Sequence, residues 1–598
     1  MRRFPPWRTW SCPLAAAAGL VVATAAAADP PADTAALIEA LGAPDAAVRE
    51  QATARLAADV ATAADALLAA AESATDPEVA LRARWLLDSL PLAAAHDPPA
   101  AAAVLARLET ATGGDRLLVL HDLLRLDGDA GIEPLARLVR LDRSAAEAVA
   151  AAALLAGEWR PDAAAWRSLR GPLRAGLGPS RRPAARFLRA LAADPEPSAA
   201  DCDAAVTAVA ELAAAGVDPE PLGILRRSLA ALLARAGQRD AAIAEADRLF
   251  TVEAAVGNEV RPALDLAWLA AHGLPEAVDL LPDRFGAIDD LGPPLAYAAA
   301  VAERTRGRAA EADRTAAAAH AKPTGTEQEF AARLQAAVLL SRWGAWDWAA
   351  REYEAVIDAA AAEPADFGQA CIYHAESLHD QGRDAEAAAT LARVLEGQGG
   401  VSGNDVLERL ERTPSQTRGR MLYFAACDAA ARGDAAESRR RLEEALRIYP
   451  QEVDALIALF RLPDASPAQQ AEARRLVAAA AARIEDRIEA LPEDGNTYNE
   501  YSWLVANTTG DITRAERYAR VAIARHARQA LELRRAHPFD GGLDSSSYLD
   551  TLAHCRAAAG DLPGAIRVQS LAVGLEPHGR ILRLNLEAFQ ARVREAMP

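Results

Sequence analysis

The sequence predicts an all-α fold, a right-handed α-solenoid of stacked helix–turn–helix pairs, and three observations carry that expectation. Alanine dominates the 598 residues, aromatics make up 5%, and period-two runs of β-branched residues are hard to find. Helices that meet through small side chains are the natural outcome. The second observation is the stretch from Arg420 to Pro450, RMLYFAACDAAARGDAAESRRRLEEALRIYP, in which two amphipathic runs meet at Arg432-Gly433-Asp434. Gly433 is free to take the positive φ that closes one helix, and Asp434 to cap the next. Ala426 and Ser438 let the two helices approach, Leu442 and Ala445 continue the buried stripe, and Pro450 stops the second helix.

The third observation is that this punctuation recurs. Gly560 is followed by Ala565, Ala572 and Pro577, and Gly382 by Ala387, Leu391 and Val394. Gly510 has Ala515, Ala519 and Ala522, and Gly344 has Ala349, Tyr353 and Val356, with its proline displaced to Pro364. Weaker copies start at Gly237 with Ala242 and at Gly307 with Ala312, Ala316 and Ala319. A helix pair turning at a glycine, with small residues at fixed offsets after it, resembles the tetratricopeptide repeat, whose period is about 34 residues. The resemblance implies a solenoid that holds other molecules.

In chain order, residues 1–28 read as a secretory signal peptide. Arg2, Arg3 and Arg8 give a positive start, Leu14 to Ala28 is uncharged and apolar, and Ala26-Ala27-Ala28 offers small residues ahead of Asp29. The apolar run is shorter than the roughly 20 residues a membrane span needs, so no stable span is expected after cleavage. Residues 34–91 follow a different grammar. Asp45, Val48 and Arg49 recur as Asp76, Val79 and Arg82, the second arginine two positions late. This resembles HEAT-type helical repeats, whose role here is to shield the first buried face of a solenoid.

Residues 98–218 read as degenerate helical repeats. Leu117 to Leu126 and Ile132 to Leu141 are apolar stripes separated by Asp127-Gly128-Asp129, Ser144 is placed to cap a helix buried on several sides, and Pro172, Pro179 and Pro183 mark a loop-rich passage. Arg170, Arg174, Arg181, Arg182 and Arg186 there read as solvated helix faces offsetting nearby acids. Weak tetratricopeptide-like pairs occupy 219–322, and Pro323 to Gln328 is a small joint. Better repeats fill 329–450, with Gly397 to Gly403 as a connecting loop rather than a phosphate cradle, since no strand precedes it. Residues 451–598 read as one long amphipathic helix, Ala465 to Leu491, followed by C-terminal repeats of the same kind. Asn499 and the Trp503-Leu504 anchor then resemble the phrase that opens a repeat in bacterial exported tetratricopeptide proteins, with Ser502 where that phrase has alanine.

Charge and cysteines exclude several classes. A formal net charge of −19 argues against nucleic acid or an anionic membrane as a partner, because both need dense positive charge. Beyond the signal, Cys202, Cys371, Cys427 and Cys555 are scattered singly and read as small core residues. The ten histidines are dispersed. His374 and His379 lie near Cys371, Glu376 and Asp380, yet a zinc site needs further ligands that helical spacing does not supply. His554-Cys555 are neighbours that point apart on a helix. Asp540 to Ser547 lacks the spaced acids of a calcium loop and reads as loop plus helix cap. No catalytic motif, cofactor site or metal site is expected.

The reading is therefore a non-catalytic, exported, periplasmic or extracellular scaffold that binds a protein or peptide in its concave face. The alternative is an all-α exported enzyme, or enzyme subunit, acting on a cell-wall or extracellular glycan. The resemblance implies that the first helix of each pair lines the groove. The lining then comprises Gln369, Ile372, Glu376 and His379; Arg420, Tyr423 and Cys427; Glu500 and Asn507; and Ser547, Asp550 and His554. It lacks the Lys and Asn set with which some relatives clamp a peptide carboxylate, so a basic or mixed partner segment is expected.

Overall fold

A computed structural model describes residues 34–596 apart from 143, 161–163, 194–196, 360–363, 398–399, 464 and 537–544. The signal expected at 1–28, and the Asp540 to Asp544 part of the loop, lie outside the described residues. Regular structure among those residues is helical throughout, with 31 α-helices, two short 3-10 turns and no β-strand. The chain forms two compact units, one ending at Leu90 and the other beginning at Pro91.

In the first unit the helices Thr34–Ala40, Ala46–Ala58, Val60–Ser73 and Pro77–Asp88 enclose Leu41, Leu56, Ala64, Leu67, Ala83 and Leu86. Asp45 and Asp76 cap their helices by accepting from Ala47 N and Glu78 N. The two arginines of the repeated phrase act differently. Arg49 folds back onto the carbonyls of Ala43 and Pro44 and pairs with Glu78 at 3.6 Å, whereas Arg82 donates to Glu78, Glu50 and Thr53.

The second unit is an array of helix pairs. Pro414–Ala431 is followed by Ala435–Ile448, with Gly433 at φ 79° and Asp434 accepting from Glu437 N at 3.0 Å. A residue with a Cβ is strained at that φ, so glycine sets where the chain reverses. The turn glycines 237, 307, 344, 382, 510 and 560 all have positive φ as well. Between the helices Ala426, Ser438, Leu442 and Ala445 are buried. The long helix runs Pro467–Ala490, and Ser144 caps Ala145–Gly157 as expected, with Ala148, Ala151, Ala152, Leu155 and Ala156 buried along it.

Pro172 departs from the expected loop: it lies inside the helix Ala164–Leu177. One lost backbone hydrogen bond is tolerated there because Trp166, Leu173 and Leu177 bury the helix firmly. Pro183 opens the next helix at a first-turn position that needs no N–H. Of the nearby arginines, Arg182 donates to Asp142 O and Arg186 pairs with Glu211.

A simple solenoid contacts only its sequence neighbours, but this unit also closes on itself. The helix Ile512–Ala536 meets Gly114–Leu124, where Ala527 and Ala530 bury Leu118. Arg528 reaches Asp115 at 3.1 Å, and Arg520 and Arg556 converge on Asp127. Further along, the Asp380 carboxylate accepts from the backbone N–H groups of Arg580 and Ile581, both at 3.1 Å. An acid 200 residues away thus caps the final helix, Arg580–Ala596. No described helix is long and apolar enough to cross a membrane.

Ala445 and Ala565 are both 0% exposed. Ala445→Arg or Ala565→Arg is expected to cost about 3 kcal/mol or more by overpacking and by burying an unpaired charge. Thermal melts of the two variants check this, with a clear loss of Tm expected for each.

Candidate functional site

The side chains that meet in the C-terminal half form one polar seam along the first helices of successive pairs: Pro364–Asp380, Pro414–Ala431, Val453–Phe460, Gly495–Asn507 and Ser546–Ala558. Arg420 is its hub. Its guanidinium forks onto Glu376 (Nε to Oε1 2.9 Å, Nη2 to Oε2 2.7 Å) and reaches Glu452 at 3.3 Å and Asp454 at 2.5 Å. Such a planar fork suits arginine and not lysine. Trp503 donates its Nε1–H to the other Asp454 oxygen at 2.8 Å, so Asp454 links three helices. Arg420 also lies over the rings of Tyr423 and Phe424, 5.0 and 4.8 Å from their centroids.

The expected lining falls into three groups. Glu376, His379, Arg420 and Tyr423 come together: His379 stacks on Phe424 at 4.7 Å, meets Tyr423 edge-on at 5.6 Å, and its Nδ1 hydrogen-bonds Asp384. Glu500 stands further along, paired with Arg487, while Gln369 is half-buried and Ser547 exposed. Asn507, Asp550 and His554 are turned inward. Asn507 is 5% exposed and accepts from Arg461 at its side chain and its carbonyl. Asp550 is 6% exposed and accepts from Gln569 at 2.7 Å and Asn585 at 2.9 Å. His554 packs between Trp503 and Phe589.

Sequence reasoning missed Glu452, Asp454, Asp384 and Arg461. The first two fall outside any glycine-led repeat, because Val453–Phe460 is a short helix that starts without a glycine turn. The only available signal was the Glu-Val-Asp spacing directly after Pro450. Of the dispersed histidine and cysteine set, Cys371 and His374 are buried, His374 stacked on Tyr353 at 5.2 Å.

Electrostatics follow from the crowding of three carboxylates on one arginine. Burial opposes the charge on Arg420, but Glu376, Asp454 and Glu452 outweigh it and raise its pKa well above the usual value. Burial would raise the Asp454 carboxyl, yet Arg420 and Trp503 hold it below the ordinary range. Glu452 is pushed up to about 7, by burial first and with Asp454 adding to it, despite the opposing pull of Arg420. Burial lowers His554 to about 3 and raises Asp550 to about 6. His554 is therefore neutral at pH 7, whereas Asp550 is neutral only below about pH 6 and carries a buried charge above it.

No family model matches the sequence, and no curated protein matches it. Among solved structures it is similar to the APC/C hetero-tetramer Cut9-Hcn1, at 13% identity over 80% of this chain and 86% of that one, with a TM-score of 0.25. It is similar to yeast Tom70 at 12% identity over 75% and 96%, TM-score 0.21. A third is the P58(IPK) TPR domain, at 16% identity over 57% and 99%, TM-score 0.13. Scores this low carry no argument, and the fold assignment rests on the helices and turns described above.

Two outcomes follow. Arg420→Met leaves Glu376, Glu452 and Asp454 facing one another without a counter-charge and is expected to cost up to about 3–5 kcal/mol in denaturant melts at pH 7. Asp550 has a folded pKa of about 6 against an ordinary value of 3.8. A raised folded pKa gives stability that is fully present below the unfolded value and is lost as pH rises through the folded one. Asp550→Asn keeps an acceptor for Gln569 and Asn585. It is expected to stabilise the protein by about 1–3 kcal/mol at pH 8 and to change little near pH 4, as comparison of melts at the two pH values checks.

Proposed function

We propose that the protein is a non-catalytic scaffold of the cell envelope that holds a basic or mixed segment of a partner protein along the concave face, with the seam as the contact surface. One observation carries this reading: Glu376 and Glu500 each leave 43% of the side chain open to solvent while Arg420 and Arg487 fix them in place. Exposed charges that are already oriented lose little freedom when a partner arrives, which favours binding. The carboxylates that meet at Arg420 are held by it and by Trp503, which supports a binding surface over the glycan-cleaving alternative. The envelope location rests on the charge and apolar run at residues 1–28.

The mature chain and a Glu376→Lys/Glu500→Lys variant are used as bait on envelope extract, and a partner held by the former is purified and titrated against both. Asp550 is left unchanged because it is buried. Affinity is expected to fall by about tenfold or more, with a weaker salt dependence; equal affinity overturns the seam as the contact surface. N-terminal sequencing tests the location. A start near Asp29 outside the cytoplasm is expected, and Met1 in a soluble cytoplasmic fraction overturns it.

A further inference from the structure

The seam contains a cluster that helical spacing alone does not predict. His379 ends the helix Pro364–Asp380, Asp384 opens the helix Asp384–Glu396, and Cys427 lies on Pro414–Ala431, one repeat further on. One ligand atom from each, an imidazole nitrogen, a carboxylate oxygen and Sγ, lies within 4.8 Å of both others. We propose that His379, Asp384 and Cys427 form a binding site for a divalent transition-metal ion of the zinc class.

The donor set is that of such ions: thiolate and imidazole select zinc-like metals over magnesium or calcium. Zinc–ligand distances of about 2.0–2.3 Å call for ligand atoms about 3.5 Å apart, so separations of at most 4.8 Å need only a small side-chain adjustment. All three residues are only partly buried, so an ion can reach them. Cys427 is also the exception among the described cysteines, since Cys202, Cys371 and Cys555 are buried.

Charge is the independent argument. Asp384, Glu376, Glu452 and Asp454 bring four carboxylates to this stretch. The cation facing them is Arg420, which is shared by three of these acids. Set against the single charge of Arg420, these acids leave a local surplus of negative charge, which a divalent cation offsets. Asp454 sits close enough to influence both His379 and Cys427 electrostatically, while its own oxygens are held by Arg420 and Trp503. It therefore acts as an outer partner of the site, and Tyr423, hydrogen-bonded to the Cys427 sulfur, is another.

On binding, the Cys427 S–H bond breaks, its proton goes to water and a metal–sulfur bond forms. The neutral His379 nitrogen and the Asp384 carboxylate complete three protein donors. A fourth position is left for water or for a side chain brought by another molecule, as in open zinc sites. Without an ion, the His379–Asp384 hydrogen bond simply closes the turn between two helices. The site does not depend on the groove holding a partner.

The full chain, stripped with a chelator, is titrated with zinc against a chromophoric competitor. One equivalent is expected to be held, weakened about tenfold or more in Cys427→Ser and in Asp384→Asn. Cobalt is expected to give a thiolate charge-transfer absorption that Cys427→Ser abolishes. Because a variant can fail to fold, the wild-type chain is also alkylated with and without zinc and mapped by peptide mass spectrometry, with protection expected at Cys427. Absence of zinc uptake, equal uptake by folded Cys427→Ser, or alkylation of Cys427 at the same rate with zinc present overturns the site.

Discussion

The architecture depends on how closely two helices approach when the residues between them are small. At Ala426, Ser438 and Ala445, and again at Ala553, Ala565 and Ala572, backbones meet across side chains of one or two heavy atoms beyond Cα, all of them buried. Close packing at such contacts gains dispersion along the whole helix face rather than from a few large anchors. It also leaves no room for error, since any larger side chain at these points separates the pair. Many long polar side chains are consequently displaced to the edges of the interfaces, and those of the seam line up from one repeat to the next.

Small-residue interfaces have a weakness of their own: an alanine face offers many nearly equivalent registers. Buried polar groups break that degeneracy. Glu352, 0% exposed, finds Tyr297, His320 and Arg333 in one arrangement only. Asp265, also 0% exposed, is gripped by Arg227 and Arg261. Burial and the nearby Asp265 push Glu253 up to about 11, which keeps it neutral beside that acid. Each cluster is satisfied only when particular helices sit at particular heights. Their contribution is better read as specificity than as net stability, because desolvation offsets most of the attraction.

The same logic links fold to function. Arg420 joins the acids of two other helices, and Asp454 passes the connection on to Trp503, so the seam is held by the contacts that set the repeat register. The closure of the array acts in the same direction. With Asp380 capping the last helix and Leu118 buried under Ala527 and Ala530, the repeats cannot flex as freely as in an open solenoid. The acids along the seam are thereby presented as a fixed pattern.

The sequence by itself determined the class and the punctuation. Composition made helices unavoidable, and the positions of Gly433, Gly382 and Gly560 were legible because only glycine tolerates the backbone angle that closes each helix. Caps such as Asp434, Asp45 and Ser144 were legible for a similarly local reason, since an oxygen two or three residues ahead of the first N–H groups is enough. Part of the seam followed from the same count, and Glu376, His379, Arg420 and Tyr423 do lie together. What only the tertiary structure decided involves residues far apart in the chain. Asp550 and Asn507 share the helical phase of Glu376, but later helices and side chains cover them, and periodicity on one helix carries no record of what packs over it. Likewise, the meeting of Asp384 with Cys427, of Asp454 with Trp503, and of Asp127 with Arg520 depends on the rise and turn of the whole array. Those are set by the summed geometry of many small contacts, and no single stretch of sequence encodes that sum.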